Sequence, residues 1–426
     1  MTPLDPHPAA STHSAGRKRV GRRPMLMAAL LGTAGLAACG EGPSGSTTAE
    51  PEQSPSDAPS PTGTTSEPTR EPAAAPSGTT APDDPLAGWS LEEKVGQLLM
   101  VGVDAAAPSQ TSKDAVTAHH AGNIFLSGRS SASATAISRT VSAFTGLTES
   151  STHGVPMLVA TDQEGGNVQV LSGPGFSSIP SGAEQAGQSR EQLVASATAW
   201  GQELASAGVT MNLAPVADLV DIASPASNAP IGQWHREYGR DAATASSQAR
   251  AFAEGMRAAG VTPTFKHFPG LGRVKENTDT ASGVTDSVTT RSGDPAVAVF
   301  GDAIAGGAEV IMVSSAYYSR IDVGAPAVFS SMIVTDMLRA EMGFTGVVIT
   351  DDVSAAVQVQ DWGAGERAVK AVSAGCDLVL ASADASVVGA MATALVSAAR
   401  SDPALAARID ESARRILALK SAKQGG

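Results

Sequence analysis

From about residue 85 onward, short apolar runs alternate with longer alanine-rich segments. Eight runs have the length and residue types of strands: 97–103, 122–126, 156–161, 210–215, 262–267, 310–314, 346–350 and 377–381. Between them, segments such as 190–207, 241–259, 295–305, 330–342 and 366–374 repeat apolar residues at helical spacing. The runs are mostly apolar rather than alternating, which indicates that both faces of the strands are covered. Strand–helix alternation with doubly covered strands predicts a parallel sheet wrapped by helices. Eight such units predict an α/β fold, a (β/α)8 TIM barrel, as one domain over 85–426. An open, doubly wound sheet is the alternative. No Gly-x-Gly-x-x-Gly follows the first run, which argues against a dinucleotide site.

Upstream the pattern changes twice. Arg17, Lys18, Arg19, Arg22 and Arg23 precede an apolar stretch from Met25 to Leu36, then Leu36-Ala37-Ala38-Cys39. Basic flank, short apolar core and small residues form a signal peptide over 1–39, too short to span a membrane comfortably. The tetrad resembles a bacterial lipobox, which implies acylation of Cys39 and anchorage on the outer face of the cytoplasmic membrane. Plain secretion is the alternative. The twin Arg22-Arg23 suggests export of a folded protein, though the residues that follow fit that route poorly. Residues 40–84 are Pro, Ser, Thr, Glu and Ala with almost nothing large and apolar, a composition expected of a disordered tether.

The formal charge of −13 argues against nucleic acid and against anionic lipid surfaces, so membrane contact is expected only through Cys39. Two cysteines, one of them Cys39, leave Cys376 alone in the body, and its apolar neighbours read as core. The seven histidines form no His-x-x-x-His pair, and no Gly-x-Ser-x-Gly elbow occurs. Neither a metal nor another cofactor is expected.

Polar residues gather where the predicted strands end. The third run leads into Asp162-Gln163-Glu164, the fourth holds Asn212 and leads to Asp218, the fifth ends in Lys266-His267, and the seventh leads into Asp351-Asp352. One such group could cap a helix, but four strands ending this way converge on the catalytic face of a barrel. Carboxylates with Lys, Arg and His donors suit glycoside hydrolysis. One carboxylate attacks the anomeric carbon, another group protonates the leaving oxygen, and fixed donors hold hydroxyls. Tyr317 and Tyr318, after the sixth run, could offer a ring to a sugar or simply pack against a helix.

Asp162-Gln163-Glu164-Gly165-Gly166, Lys266-His267-Phe268-Pro269-Gly270 and Thr350-Asp351-Asp352 resemble the signature of glycoside hydrolase family 3, in its β-N-acetylglucosaminidase branch. The resemblance spans 86–424. It implies that Asp351 is the nucleophile of a retaining mechanism, and that Asp162, Arg236, Lys266 and His267 hold the sugar. It also implies a carbohydrate substrate, peptidoglycan fragments or chitin oligomers. A monomer is expected. Other readings are another exo-β-glycosidase such as a β-glucosidase, a glycoside phosphorylase, or a non-catalytic muropeptide-binding lipoprotein.

The chain departs from that pattern at three places. Leu271 replaces a second histidine, and Val170 replaces an arginine. Where the branch carries Asp-Ser-His, with His as general acid/base, an ungapped count from Lys266 gives Asn277-Thr278-Asp279. Three readings follow. Asp279 is the acid/base, oriented by neutral Asn277; or the site only binds sugar; or Asp279 caps a loop while His235, Glu164 or another group supplies the proton. A carboxyl can serve as the acid where burial or a second carboxylate raises its pKa. Arg273 and Lys275 in the same loop could attract an anion such as phosphate.

Overall fold

A computed structural model describes residues 84–148 and 152–422; the signal segment, Cys39 and nearly all of the tether fall outside them. The eight main strands are β1 (Leu99–Asp104), β2 (Asn123–Ser127), β3 (Leu158–Thr161), β4 (Met211–Asn212), β5 (Thr262–Phe268), β6 (Val310–Val313), β7 (Val347–Thr350) and β8 (Val379–Ala381). They pair in chain order from β1 to β7, with β8 on the free side of β1. Every neighbouring pair in this sheet is parallel.

A parallel bridge between Ile349 and Leu378 joins the last open edge, so the sheet is a closed barrel and the open-sheet alternative is excluded. The Thr350 N–H donates to the Leu378 carbonyl at 2.9 Å, and the Leu378 N–H to that of Val348 at 3.0 Å. Side chains reinforce this thin seam. The fully buried Asp377 accepts from the Val348 N–H at 2.9 Å and the Ser412 hydroxyl at 3.0 Å. It also receives the guanidinium groups of Arg339, Arg408 and Arg415.

Each strand is followed by a helix, in order Gln110–His119, Ala134–Thr145, Arg190–Ser206, Ala242–Ala258, Pro295–Ala305, Met332–Glu341, Ala364–Ala374 and Val388–Ser401. Their limits follow from local chemistry. Ser189 and Gln192 form a reciprocal capping box, while Asp294 caps a helix that begins at Pro295. Gly375, at φ 117°, ends the helix Ala364–Ala374 in a left-handed turn.

The predicted elements need three corrections. Gln97, expected to open the first strand, instead ends a short helix, Leu91–Gln97, and Leu98 caps it. The fourth run shrinks to Met211–Asn212, because Pro215 has no N–H for the ladder; pairing resumes in a bridge between Val216 and Lys266. The helix after β6 is wound as a π-helix that buries Ile333, Val334, Met337 and Leu338. Cys376 is buried in the core as expected, and burial pushes its thiol up to about 12.

Because the strands run parallel, all eight carboxyl ends open on one face, with their loops surrounding the barrel mouth. That geometry brings residues nearly two hundred positions apart into one cavity.

Candidate active site

A cavity of ≈ 400 Å³ lies at this mouth, and Asp162, Arg236, Lys266, His267, Asn277, Asp279 and Asp351 all line it. The group divides into a bonded cluster of acids and bases and a pair of carboxylates.

The bonded cluster starts at β5. Between β5 and β6 the register slips by one residue at Lys266–His267. Such a bulge re-aims side chains, and these two consecutive residues both reach the cavity. Lys266 Nζ lies 2.7 Å from Asp162 Oδ1 and 2.6 Å from Glu164 Oε1. Arg236 grips Glu164 with both arms of its guanidinium, at 2.8 and 2.7 Å, and donates a further bond to the Pro230 carbonyl at 2.8 Å. Burial opposes ionisation of Glu164, but Arg236 and Lys266 outweigh it and hold the carboxyl at about 2. Burial also opposes the charge on Lys266; Asp162 and Glu164 overcome it and raise the ammonium above its usual value. Two cations against two carboxylates make the cluster neutral and rigid.

His267 is fixed separately. Its Nδ1 lies 2.6 Å from a carboxylate oxygen of the fully buried Asp218. The other oxygen accepts the N–H groups of His267, at 3.1 Å, and Leu271, at 2.6 Å. One buried carboxylate thus sets both the ring and the Pro269-Gly270 turn, where Gly270 sits at φ 130°. Leu271 forms an apolar wall in the position of the absent histidine.

The carboxylate pair is Asp351, just beyond β7, and Asp279, in the loop after β5. Two backbone bonds tie these loops together: Gln358 N–H to the Thr278 carbonyl at 3.0 Å, and Val357 N–H to that of Asp279 at 3.2 Å. Asn277 Oδ1 accepts the Asp279 N–H at 2.9 Å, so Asn277 shapes the turn through backbone rather than by touching the carboxyl. Asp279 remains open to water at the mouth. Surrounding protein, then the charges of Asp351 and Asp352, push its carboxyl up to about 6. Burial also pushes Asp351 upward, opposed by His267, the Asp352 N–H and Lys266. That N–H binds Asp351 Oδ1 at 2.8 Å, whereas no hydrogen bond among the described residues reaches the Asp279 carboxyl oxygens. Both carboxyls are thus raised as a coupled pair, and only that of Asp351 has a backbone donor.

Other residues singled out in the sequence have different roles. Asn212 exchanges hydrogen bonds with the backbone of Gln163 across β3 and β4 and does not line the cavity. Asp352 receives the N–H and hydroxyl of Ser382, at 2.8 and 3.0 Å, and the Ser354 hydroxyl, at 2.6 Å, which fixes the loop beyond β7. Arg273 does not await an anion: it is bound at 2.6 Å to Asp221 and at 2.8 Å to Asp294. Tyr318 is core and donates to the Gly270 carbonyl at 2.9 Å. Val170 packs in the core, and His235 is exposed away from the cavity lining. Glu164, held ionised by two cations, cannot act as an acid near neutrality. Of the two named substitutes for Asp279 as proton donor, His235 is thus off the cavity and Glu164 is ion-paired. The importance of Glu164 as the shared anchor was missed, although in extended chain it faces the same side as Asp162, two residues earlier. Asp218 was noticed at a strand end but not recognised as the partner of His267.

A closed parallel barrel with carboxylates and sugar-grade donors at its mouth defines a carbohydrate-active enzyme. The glycosyl hydrolase family 3 N-terminal domain matches residues 90–419, and the chain belongs to that family. A β-N-acetylhexosaminidase structure from Beutenbergia cavernae superposes with a TM-score of 0.77 at 54% identity, covering 78% of this chain and 98% of that one. A family 3 β-N-acetylglucosaminidase from a Paenibacillus strain gives 0.70 at 31% identity, covering 79% and 64%. The β-hexosaminidase of Stenotrophomonas maltophilia is 33% identical over 232 residues, 53% of this chain and 67% of its own.

Glu164 supplies a pH test. Its folded-state pKa lies below the ordinary 4.5, so the stabilisation from its ion pairs is complete above about 4.5 and is lost as pH falls toward 2. Glu164→Gln should cost on the order of 3 kcal/mol at pH 7. Urea unfolding from pH 7 to 3.5 should show that cost shrinking only below about pH 4.5. A cost that stays constant over the whole range would contradict the ion-pair account.

Proposed function

We propose that the protein is a retaining exo-β-N-acetylglucosaminidase that needs no cofactor. The observation that carries the proposal is the placement of Asp279 and Asp351 on one cavity, beside the neutral cluster of Asp162, Lys266, Glu164 and Arg236. The name of the Paenibacillus neighbour supports N-acetylglucosamine as the sugar released, and that of the Beutenbergia neighbour supports an N-acetylhexosamine.

In the first step the Asp351 carboxylate attacks the anomeric carbon. The bond to the leaving oxygen breaks as Asp279 gives that oxygen its proton. In the second, water gives a proton to the Asp279 carboxylate and attacks the same carbon, releasing the sugar and restoring Asp351. Asp162, Lys266, Arg236 and His267 hold the hydroxyls; their partners fix them before substrate arrives, so little reorganisation is needed in the transition state. The environment of the pair suits this division: the Asp279 carboxyl is pushed up to about 6, and Asp351 alone has a backbone N–H to favour its charged form. Phosphorolysis is disfavoured because an anionic co-substrate would have to approach Asp279, and Arg273 is already committed to other carboxylates.

The location belongs to the same proposal. Export under the signal segment and acylation of Cys39 would hold the barrel outside the membrane on the tether over 40–84. A fungal relative, 36% identical over 281 residues, is named as a secreted glycosyl hydrolase, which agrees with export. Among the described residues no helix is long and apolar enough to cross a membrane. Cys39→Ser should move the protein from the membrane pellet to the soluble fraction; an unchanged pellet would remove the lipid anchor from the account.

The chemistry makes a paired prediction. For wild type, kcat/KM should fall as pH rises through about 6, where Asp279 loses its proton. Asp279→Ala should remove that limb and slow hydrolysis of unactivated disaccharides by roughly 10²–10⁴-fold, with far less effect on activated aryl glycosides. Asp351→Asn should abolish turnover of both. Equal slowing of good and poor leaving groups in Asp279→Ala, or full activity in Asp351→Asn, would overturn the respective assignment.

A further inference from the structure

Beside the catalytic cavity lies a second of ≈ 300 Å³, between the ends of β1, β2 and β8. The two share Ser382 and Ala383, so they adjoin at the end of β8. Its lining is hydroxyl-rich, with Ser109, Thr111, Ser127 and Ser386 among the contributors, and it holds two carboxylates, Asp104 and Asp384. No Lys, Arg or His lines it.

The cations of the main cavity do not compensate. Arg236 and Lys266 are bound to Glu164 and Asp162, and His267 to Asp218. Asp351 and Asp352 face the same space, and Asp279, the proposed acid, adds no positive charge there. Any group entering the combined cavity therefore meets carboxylates and hydroxyls, and every cation it could meet is already paired.

We propose that the second cavity is the aglycone subsite and that it selects a neutral or amino sugar over a carboxylate-bearing one. The inference rests on the glycosidase reading above. The preferred substrates are β-linked N-acetylglucosamine oligomers of the chitin type, including partly deacetylated ones whose glucosamine ammonium pairs with Asp104 or Asp384. Muramic acid carries a lactyl carboxylate, which would lose water and gain only like charges. This narrows the two substrate classes suggested by the sequence to one.

The test compares four substrates of the wild-type enzyme: an aryl β-N-acetylglucosaminide, and disaccharides in which N-acetylglucosamine is β-linked to N-acetylglucosamine, to glucosamine, or to N-acetylmuramic acid. The methyl ester of the last, equal in shape but uncharged, is the control. Both chitin-type disaccharides should exceed the free muramic acid compound in kcat/KM by at least about tenfold. The ester should recover most of that gap, and salt should narrow it. A free acid cleaved as well as the chitin-type disaccharides would overturn the proposal. An ester as poor as the acid would also overturn it, since exclusion would then be by shape. Failure to cleave even the aryl glycoside would instead overturn the glycosidase reading.

Discussion

Two carboxyl groups at one barrel mouth cannot both carry charge cheaply, and the site is organised around that constraint. Asp351 has the Asp352 N–H and the nearby His267 and Lys266 to favour its charge; Asp279 has crowding and two negative neighbours. Chemically identical side chains thereby sit in different environments, which is what the proposed division into nucleophile and acid needs. Loop placement creates the difference, and the backbone bonds from Val357 and Gln358 to the Asp279 loop maintain it.

The cations near this pair are kept from collapsing it. A free ammonium or guanidinium beside Asp279 would pull its pKa down and end its use as an acid. Glu164 takes up Arg236 and part of Lys266, while Asp162 takes the rest. The same arrangement leaves the donors fixed for sugar hydroxyls. On the proposed reading, acid strength and substrate charge preference therefore share one physical origin.

Much of this was legible along the chain. Eight mostly apolar runs pointed to a parallel sheet covered by helices and favoured a barrel over an open sheet, a choice decided by the Ile349–Leu378 bridge. Strand-end polar residues located the site, since a parallel closed sheet has one mouth. Asp351 and Lys266-His267 were visible through their company: any one of them could be a cap or a structural residue, but four strands ending in such groups could not be explained that way. Three things were not legible. Asn212 looked like Asp162 at a strand end, but the short β4 turns it onto the Gln163 backbone. Arg273 looked available, but its partners Asp221 and Asp294 lie 52 and 21 residues away. Glu164 looked like a spare acid, and only the convergence of Arg236 and Lys266 shows why it stays ionised. In each case the deciding partner comes from a distant part of the chain.

The central claim is that Asp279 is the acid/base of a retaining enzyme whose nucleophile is Asp351. The most direct measurement is azide rescue of Asp279→Ala with an activated aryl N-acetylglucosaminide, with the product's anomeric configuration read by NMR. Azide needs no general base, so it should attack the accumulated glycosyl-enzyme and restore turnover. The product should be the β-azide, with retention. No rescue, or an α-azide, would contradict the account.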